Sequence, residues 1–199
     1  MITLYDNQLS GNGYKVRLFL HLLELSYTRK TVDLFKGEGQ TTAFLALNPL
    51  GQVPVLQDDD VTLRDSHGIL TYLALQYGNG RWISAEPVGM GRVVAWLANS
   101  ANEFQNGPGA ARLVHKFKIG SDLKRPKAIA ARIFAAMEAQ LRTTQWLVGG
   151  QPTIADIACF PYTMLAPEGD VSLEEFPAIR RWLGQVEQLP GFVPMAGGR

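Results

Sequence analysis

The sequence is short of sulfur and short of charge. Its single cysteine, Cys159, rules out an intramolecular disulfide framework and leaves no set of thiolates for a structural zinc site. Charged residues make up 19% of the 199 residues, and 19 Lys+Arg against 18 Asp+Glu leave a formal net charge of +1. Soluble domains usually carry about a quarter charged residues, so extra apolar surface is left for burial, some of it between subunits. The even balance supplies no basic face, which argues against nucleic acid or anionic membrane as the main partner. Long hydrophobic runs are missing as well. The most apolar stretches, such as Val93 to Ala98, fall far short of the roughly 20 residues that cross a bilayer. The opening Met1-Ile2-Thr3-Leu4-Tyr5-Asp6 lacks the basic-then-apolar order of a secretory leader, and Ala196-Gly197-Gly198-Arg199 matches no lipidation or retention signal. The expectation is a soluble, reduced, cytoplasmic protein.

What is present divides by period. Ile2 to Tyr5 reads as a buried strand, and Asp6 to Gly13 as a polar, glycine-rich connection. Val16, Phe19, Leu20 and Leu23 then recur as the stripe of an amphipathic helix. Tyr27 to Leu34 returns to strand character, so the first three elements make a βαβ unit with parallel strands and a right-handed crossover. A short helix over Thr41 to Leu47 is followed by the turn Asn48-Pro49-Leu50-Gly51. Val53 to Gln57 and Val61 to Arg64 form a hairpin around Asp58-Asp59-Asp60, and Ile69, Leu70, Leu73 and Tyr77 mark a further helix. The order βαβαββα predicts an α+β domain over residues 1–79, with a linker at 80–85 after Gly78-Asn79-Gly80. Residues 86–199 show no strand pattern and predict an all-helical bundle. Its helices run over Val93 to Phe104, over a long stretch carrying Ile129, Ile133, Met137 and Leu141, after Pro152, and over Glu174 to Leu189. Thr153 and Asp156 have the spacing of a capping box.

Three short segments could carry chemistry. A cis peptide at Val53-Pro54 would turn the backbone of Val53 outward to pair with an extended peptide, although only about one X-Pro bond in twenty is cis. Asp65-Ser66 joins the last strand to its helix. Ser66 can cap that helix, which alone is a sufficient explanation, or it can capture a ligand carboxylate while Asp65 holds an ammonium. Ser10-Gly11-Asn12-Gly13 precedes the first helix, where a hydroxyl and free amides meet the positive end of the dipole. The glycines there do not complete a dinucleotide fingerprint, since Val16 stands where the next glycine is required. His21 and Glu24 lack a third ligand, so no metal is expected. Cys159, among Ile157, Ala158 and Phe160, reads as a small hydrophobe, and Trp96, Trp146 and Trp182 as core.

Together these segments resemble the cytosolic glutathione transferase family, and the resemblance covers essentially the whole chain. It rests on Asn48-Pro49-Leu50-Gly51-Gln52-Val53-Pro54-Val55-Leu56, on Asp65-Ser66 followed by Ile69-Leu70-Thr71-Tyr72-Leu73, and on Pro152-Thr153-Ile154-Ala155-Asp156-Ile157-Ala158. It implies a thioredoxin-like first domain, a cis Pro54, and backbone pairing of Val53, beside Gln52, with the cysteinyl part of glutathione. It also implies that Asp65 and Ser66 hold the γ-glutamyl ammonium and carboxylate, and that the Thr153–Asp156 box serves folding. Gly39 and Gln40 stand where similar members carry His and Lys for the glycyl carboxylate, so Gln40 would bind it without charge, with Lys36 as a substitute.

The resemblance also implies how the thiol is activated. Tyr5 precedes the loop by too much to match the tyrosine type. Ser10 stands six residues before Val16, as in serine-type members similar to the phi and zeta classes, and Ser10-Gly11-Asn12-Gly13-Tyr14-Lys15-Val16 resembles the bacterial nu-like Thr-Pro-Asn-Gly-x-Lys pattern. Ser10 is the first choice as donor to the glutathione thiolate and Asn12 the second. A small hydrophobic electrophile would lie between the domains, with Tyr14, Trp96, Asn99, Phe104 and His115 as candidates for its site. The expected activity is glutathione transfer to small electrophiles by a homodimer. Two alternatives are a nu-like glutathione-dependent disulfide-bond reductase or peroxidase, and a non-catalytic binding module.

Overall fold

The computed structural model describes residues 1–195, so the 196–199 tail read above for sorting signals lies outside the described residues. The first seven elements appear in the expected order: β1 (Ile2–Asp6), α1 (Gly11–Leu22), β2 (Tyr27–Thr31), α2 (Thr42–Leu47), β3 (Val55–Asp58), β4 (Val61–Arg64) and α3 (Ser66–Tyr77). The sheet order is β2-β1-β3-β4, with β1 parallel to β2 and antiparallel to β3, and β3 antiparallel to β4. Alternation along the strands divides the sheet into two faces. Ile2, Leu4 and Leu56 enter the main core with α1 and α3, while Val32, Val53 and Val55 form a second cluster with Phe44 of α2, against which Tyr5 packs.

Helices make up the rest: α4 (Pro87–Asn99), α5 (Ala110–Phe117), α6 (Lys124–Thr143), α7 (Ile154–Met164) and α8 (Pro177–Glu187). Thr153 caps α7, and its partner Asp156 accepts from the Thr153 amide at 2.8 Å, the Leu147 amide at 3.0 Å and Trp182 Nε1 at 2.9 Å. The capping box expected from sequence is therefore also the knot joining α7 to α8.

Three departures from the sequence reading have local causes. The stripe on α1 suggests one buried face, yet Val16 through Leu20 are all buried, because α1 packs against α7 and α3 and shares the main core with Ile2, Leu4 and Leu56 of the sheet. The helix expected over Val93 to Phe104 is α4 only to Asn99. The chain then widens into a π-helical segment, Ser100–Gly109, that contains Pro108. Proline has no amide hydrogen and collides with the preceding α turn, and a wider turn relieves both. A Cβ at Gly107 would lie 2.9 Å from the Ala130 amide nitrogen, so glycine lets this segment close on α6. Finally, α8 starts at Pro177, not Glu174, since the Glu138 carboxylate accepts from the Ala178 and Ile179 amides at 3.2 and 3.0 Å.

Candidate active site

The β1–α1 connection is held from below. Arg17 reaches back from α1 to the buried Asp6 carboxylate and donates to the carbonyls of Asn7 and Gln8 at 3.3 and 3.1 Å. Gly13 has to be glycine here, since a Cβ would stand 1.8 Å from Asp6 Oδ1. Above this support Ser10 is the N-cap of α1, its Oγ accepting from the Gly13 amide at 3.1 Å. A hydroxyl that accepts from its own helix keeps its one proton for a ligand.

The second segment is fixed by Asn48, which is buried. Its Nδ2 donates to the Gln52 carbonyl at 2.7 Å while its Oδ1 accepts from the Leu50 amide at 3.1 Å. Gly51, at φ +64, turns the chain into Gln52-Val53, and the Val53–Pro54 bond is cis. That proline also explains why β3 begins at Val55 and not at Val53, because it has no amide to give the ladder.

At the third segment the structure corrects the capping assignment. Asp65, not Ser66, is the N-cap of α3: its Oδ1 accepts from the amides of His67 at 2.8 Å and Gly68 at 3.3 Å. Ser66 is the first helical residue and is buried. The His67 ring beside Asp65 and these two amides hold its carboxyl well below the usual carboxylate range, against the opposing effect of burial.

The three segments converge on a cleft of about 560 Å³ between the sheet half and the helical half. Ser10, Asn12, Gln52, Val53 and Asp65 line it from one side. Asn12 Nδ2 donates across it to Gln105 Oε1 of the π-helical segment at 3.2 Å. Pro54 and Ser66 are not among the lining residues, though each follows one in the chain. Gln40 is exposed, with its amide lying over Gly51, and Lys36 pairs with Asp33 at 3.3 Å outside the cleft.

None of the five residues suggested for the electrophile lines the cleft. Tyr14 is buried in the core, its hydroxyl donating to the Val193 carbonyl at 2.7 Å. Phe104 is fully buried with its ring centroid 6.0 Å from that of Phe134. Trp96 and Asn99 are half-buried on α4, and exposed His115 sits with Nδ1 3.1 Å from the Glu168 carbonyl oxygen. The opposite wall is instead built from Leu113 and Phe117 of α5, Ile119, and Tyr162 of α7, while Leu34 and Phe35 after β2 complete the apolar lining from the sheet half. The rings of Phe35 and Phe117 approach to 6.0 Å and so join the two halves across the cleft. The one sequence signal for Phe35 is apolar character in a connection that ought to be polar. Arg112 secures this wall by pairing with Glu168 and donating to the Leu9 carbonyl at 2.8 Å.

Burial raises the Tyr162 hydroxyl to about 12 and lowers the Lys15 ammonium to about 8. Cys159 is buried and its thiol is pushed up, chiefly by burial, so the protein's own sulfur is a poor nucleophile. Among the described residues no group of three or more His, Cys, Asp or Glu side chains could hold a metal ion.

The family comparison agrees with this arrangement. Residues 10–76 match the glutathione S-transferase N-terminal domain, and residues 112–190 match the glutathione S-transferase C-terminal domain. Glutathione S-transferase GstB of Escherichia coli is 31% identical over 96% of this chain and 95% of its own, and the Escherichia coli disulfide-bond oxidoreductase YfcG is 29% identical over 96% and 92%. The crystal structure of a glutathione S-transferase from Pseudomonas fluorescens superposes with a TM-score of 0.91 at 34% identity, covering 98% of each chain. Glutathione transferase URE2P6 of Phanerochaete chrysosporium, solved with oxidized glutathione, gives 0.88 at 28% identity over 96% and 92%. The chain belongs to the glutathione S-transferase family.

Proposed function

We propose that the protein is a glutathione transferase in which Ser10 stabilises the glutathione thiolate for attack on small apolar electrophiles. The observation that carries this reading is the Ser10 hydroxyl at the start of α1, on the cleft wall, with its proton uncommitted to the helix it caps. Donation from that hydroxyl, together with the positive end of α1, favours the thiolate over the thiol. Each unit removed from the thiol pKa corresponds to about 1.4 kcal/mol of differential stabilisation. Ser10 donates to an anion and forms no bond itself.

Glutathione lies extended on the domain of residues 1–79. Its γ-glutamyl ammonium meets Asp65, its γ-glutamyl carboxylate meets Ser66, its cysteinyl backbone pairs with Val53 beside Gln52, and its glycyl carboxylate reaches Gln40. The electrophile lies between Phe35 of the sheet half and Phe117 and Tyr162 of residues 86–199. A cytoplasmic homodimer is part of this reading. Leu75 on α3 and Val88 and Val94 on α4 are more than half exposed in the single chain, which supports a partner subunit there. The deciding experiment is Ser10→Ala assayed with a reactive aryl halide. A large fall in turnover is expected, and unchanged conjugation removes Ser10 from its role.

A second reading, glutathione-dependent reduction of disulfides, is favoured by Asn12. It lines the same cleft two residues after Ser10, and YfcG is among the relatives. Comparing disulfide reduction with aryl transfer in Asn12→Ala separates the two.

A further inference from the structure

A buried cation lies behind the cleft. Lys15 of α1 has no exposed surface, and among the described residues it makes no direct ion pair with a carboxylate. Its Nζ donates to Ser100 Oγ at 3.0 Å, stands 3.2 Å from His67 Nε2, and lies 5.4 Å from the Tyr162 ring centroid. Ser100 commits its own proton to the Ala158 carbonyl at 2.8 Å, so its oxygen is free to accept from Lys15. On the far side of the imidazole, His67 Nδ1 lies 3.3 Å from Asp65 Oδ1. A buried ammonium is costly, and an apolar side chain of similar length would fill the same space without that cost.

The chemistry of the chain Lys15–His67–Asp65 is directional. An ammonium has donors only, so the His67 nitrogen that faces it is the acceptor, and the ring proton of a neutral imidazole then sits on Nδ1. Burial holds His67 below its ordinary pKa, against the pull of Asp65, which keeps the ring neutral. The proton on Nδ1 faces Asp65 Oδ1, the same oxygen that accepts the His67 and Gly68 amides. All three donors therefore gather on one carboxylate oxygen.

We propose that Lys15 is a positioning residue for glutathione: through His67 it fixes the donor that holds Asp65 Oδ1, so that Oδ2 is presented to the γ-glutamyl ammonium. The inference rests on the reading that Asp65 receives that ammonium. Lys15 itself touches no substrate.

The test is calorimetric titration of the full chain with glutathione and with its desamino analogue, in which hydrogen replaces the γ-glutamyl ammonium. Lys15→Met should weaken glutathione roughly tenfold, the scale of one charge-assisted hydrogen bond, while leaving the analogue unchanged. His67→Gln should do the same, and adding Lys15→Met to it should cost nothing more. Equal weakening of both ligands would show a merely structural role and overturn the proposal. So would unchanged glutathione affinity. If Lys15→Met does not fold, the comparison of the two ligands on His67→Gln decides by the same criteria. Asp65→Asn separates the two levels of the argument. If it leaves glutathione affinity unchanged, the ammonium reading itself fails. If it weakens glutathione while Lys15→Met does not, only the role of Lys15 falls.

Discussion

The two sides of the cleft are built on different physical terms. On the sheet side, groups are held by short-range constraints close in sequence: Ser10 by Gly13, Gln52 by Asn48, Asp65 by His67 and Gly68. On the helical side the wall consists of side chains brought together from α5, the segment after it and α7, facing Phe35 of the β2–α2 connection. The first side suits a ligand of fixed chemistry whose charged ends must find fixed partners. The second suits apolar ligands of variable shape, since burial is non-directional and scales with area.

Substitutions on the two sides should therefore fail differently. Ser10→Ala should lower kcat by roughly a hundredfold with every electrophile, as loss of a donor to a developing anion does. If steady-state kinetics show a substrate-dependent loss instead, the two sides are not separate.

Asp65→Asn comes next, with glutathione affinity falling roughly tenfold to hundredfold for loss of a charged hydrogen bond while the electrophile KM stays constant. The same residue gives a pH test of folding. Its folded pKa lies below the ordinary value, so its contribution is present above the unfolded carboxylate pKa and is lost as pH falls through the folded one. Urea midpoints of wild type and Asp65→Asn should thus differ at neutral pH and converge in acid. A gap that persists at the lowest pH would contradict the placement of charge on Asp65.

Phe117→Ala should raise KM several-fold for large aromatic electrophiles and hardly at all for small ones, the loss of about 1–2 kcal/mol of partial ring burial. Glutathione KM is the internal control, and Phe35→Ala should follow the same pattern. The smallest effect belongs to Gln40→Ala, about fivefold in glutathione affinity for one solvent-exposed hydrogen bond. No change on calorimetric titration would remove Gln40 from the glycyl site.

Legibility followed the same division. Turns, caps and the βαβαββα order are local, so Asn48 to Pro54, the Thr153–Asp156 box and the helix start at Ser10 could be read in sequence. At Asp65-Ser66 the sequence does not single out the cap, because a carboxylate and a hydroxyl are both good N-caps and only backbone geometry chooses between them. Tyr14, Trp96, Asn99, Phe104 and His115 lie off the cleft for a different reason. Helical periodicity indicates which residues share a face, not which face meets the other domain. The burial of α1 on all sides, and the widening of the chain at Ser100–Gly109 around Pro108, were likewise outside the reach of period alone.

The lone Cys159 sums up the boundary. The sequence by itself determined that no intramolecular disulfide could form, that the first half would be a βαβαββα unit, and that a hydroxyl would stand at the first helix N-terminus. These depend on composition, period and neighbours a few residues apart. Tertiary structure decided that Cys159 is buried, that Phe35 meets Phe117 across the cleft, and that Lys15 reaches Asp65 through His67. Such contacts join residues far apart in the chain, and only tertiary packing brings them together.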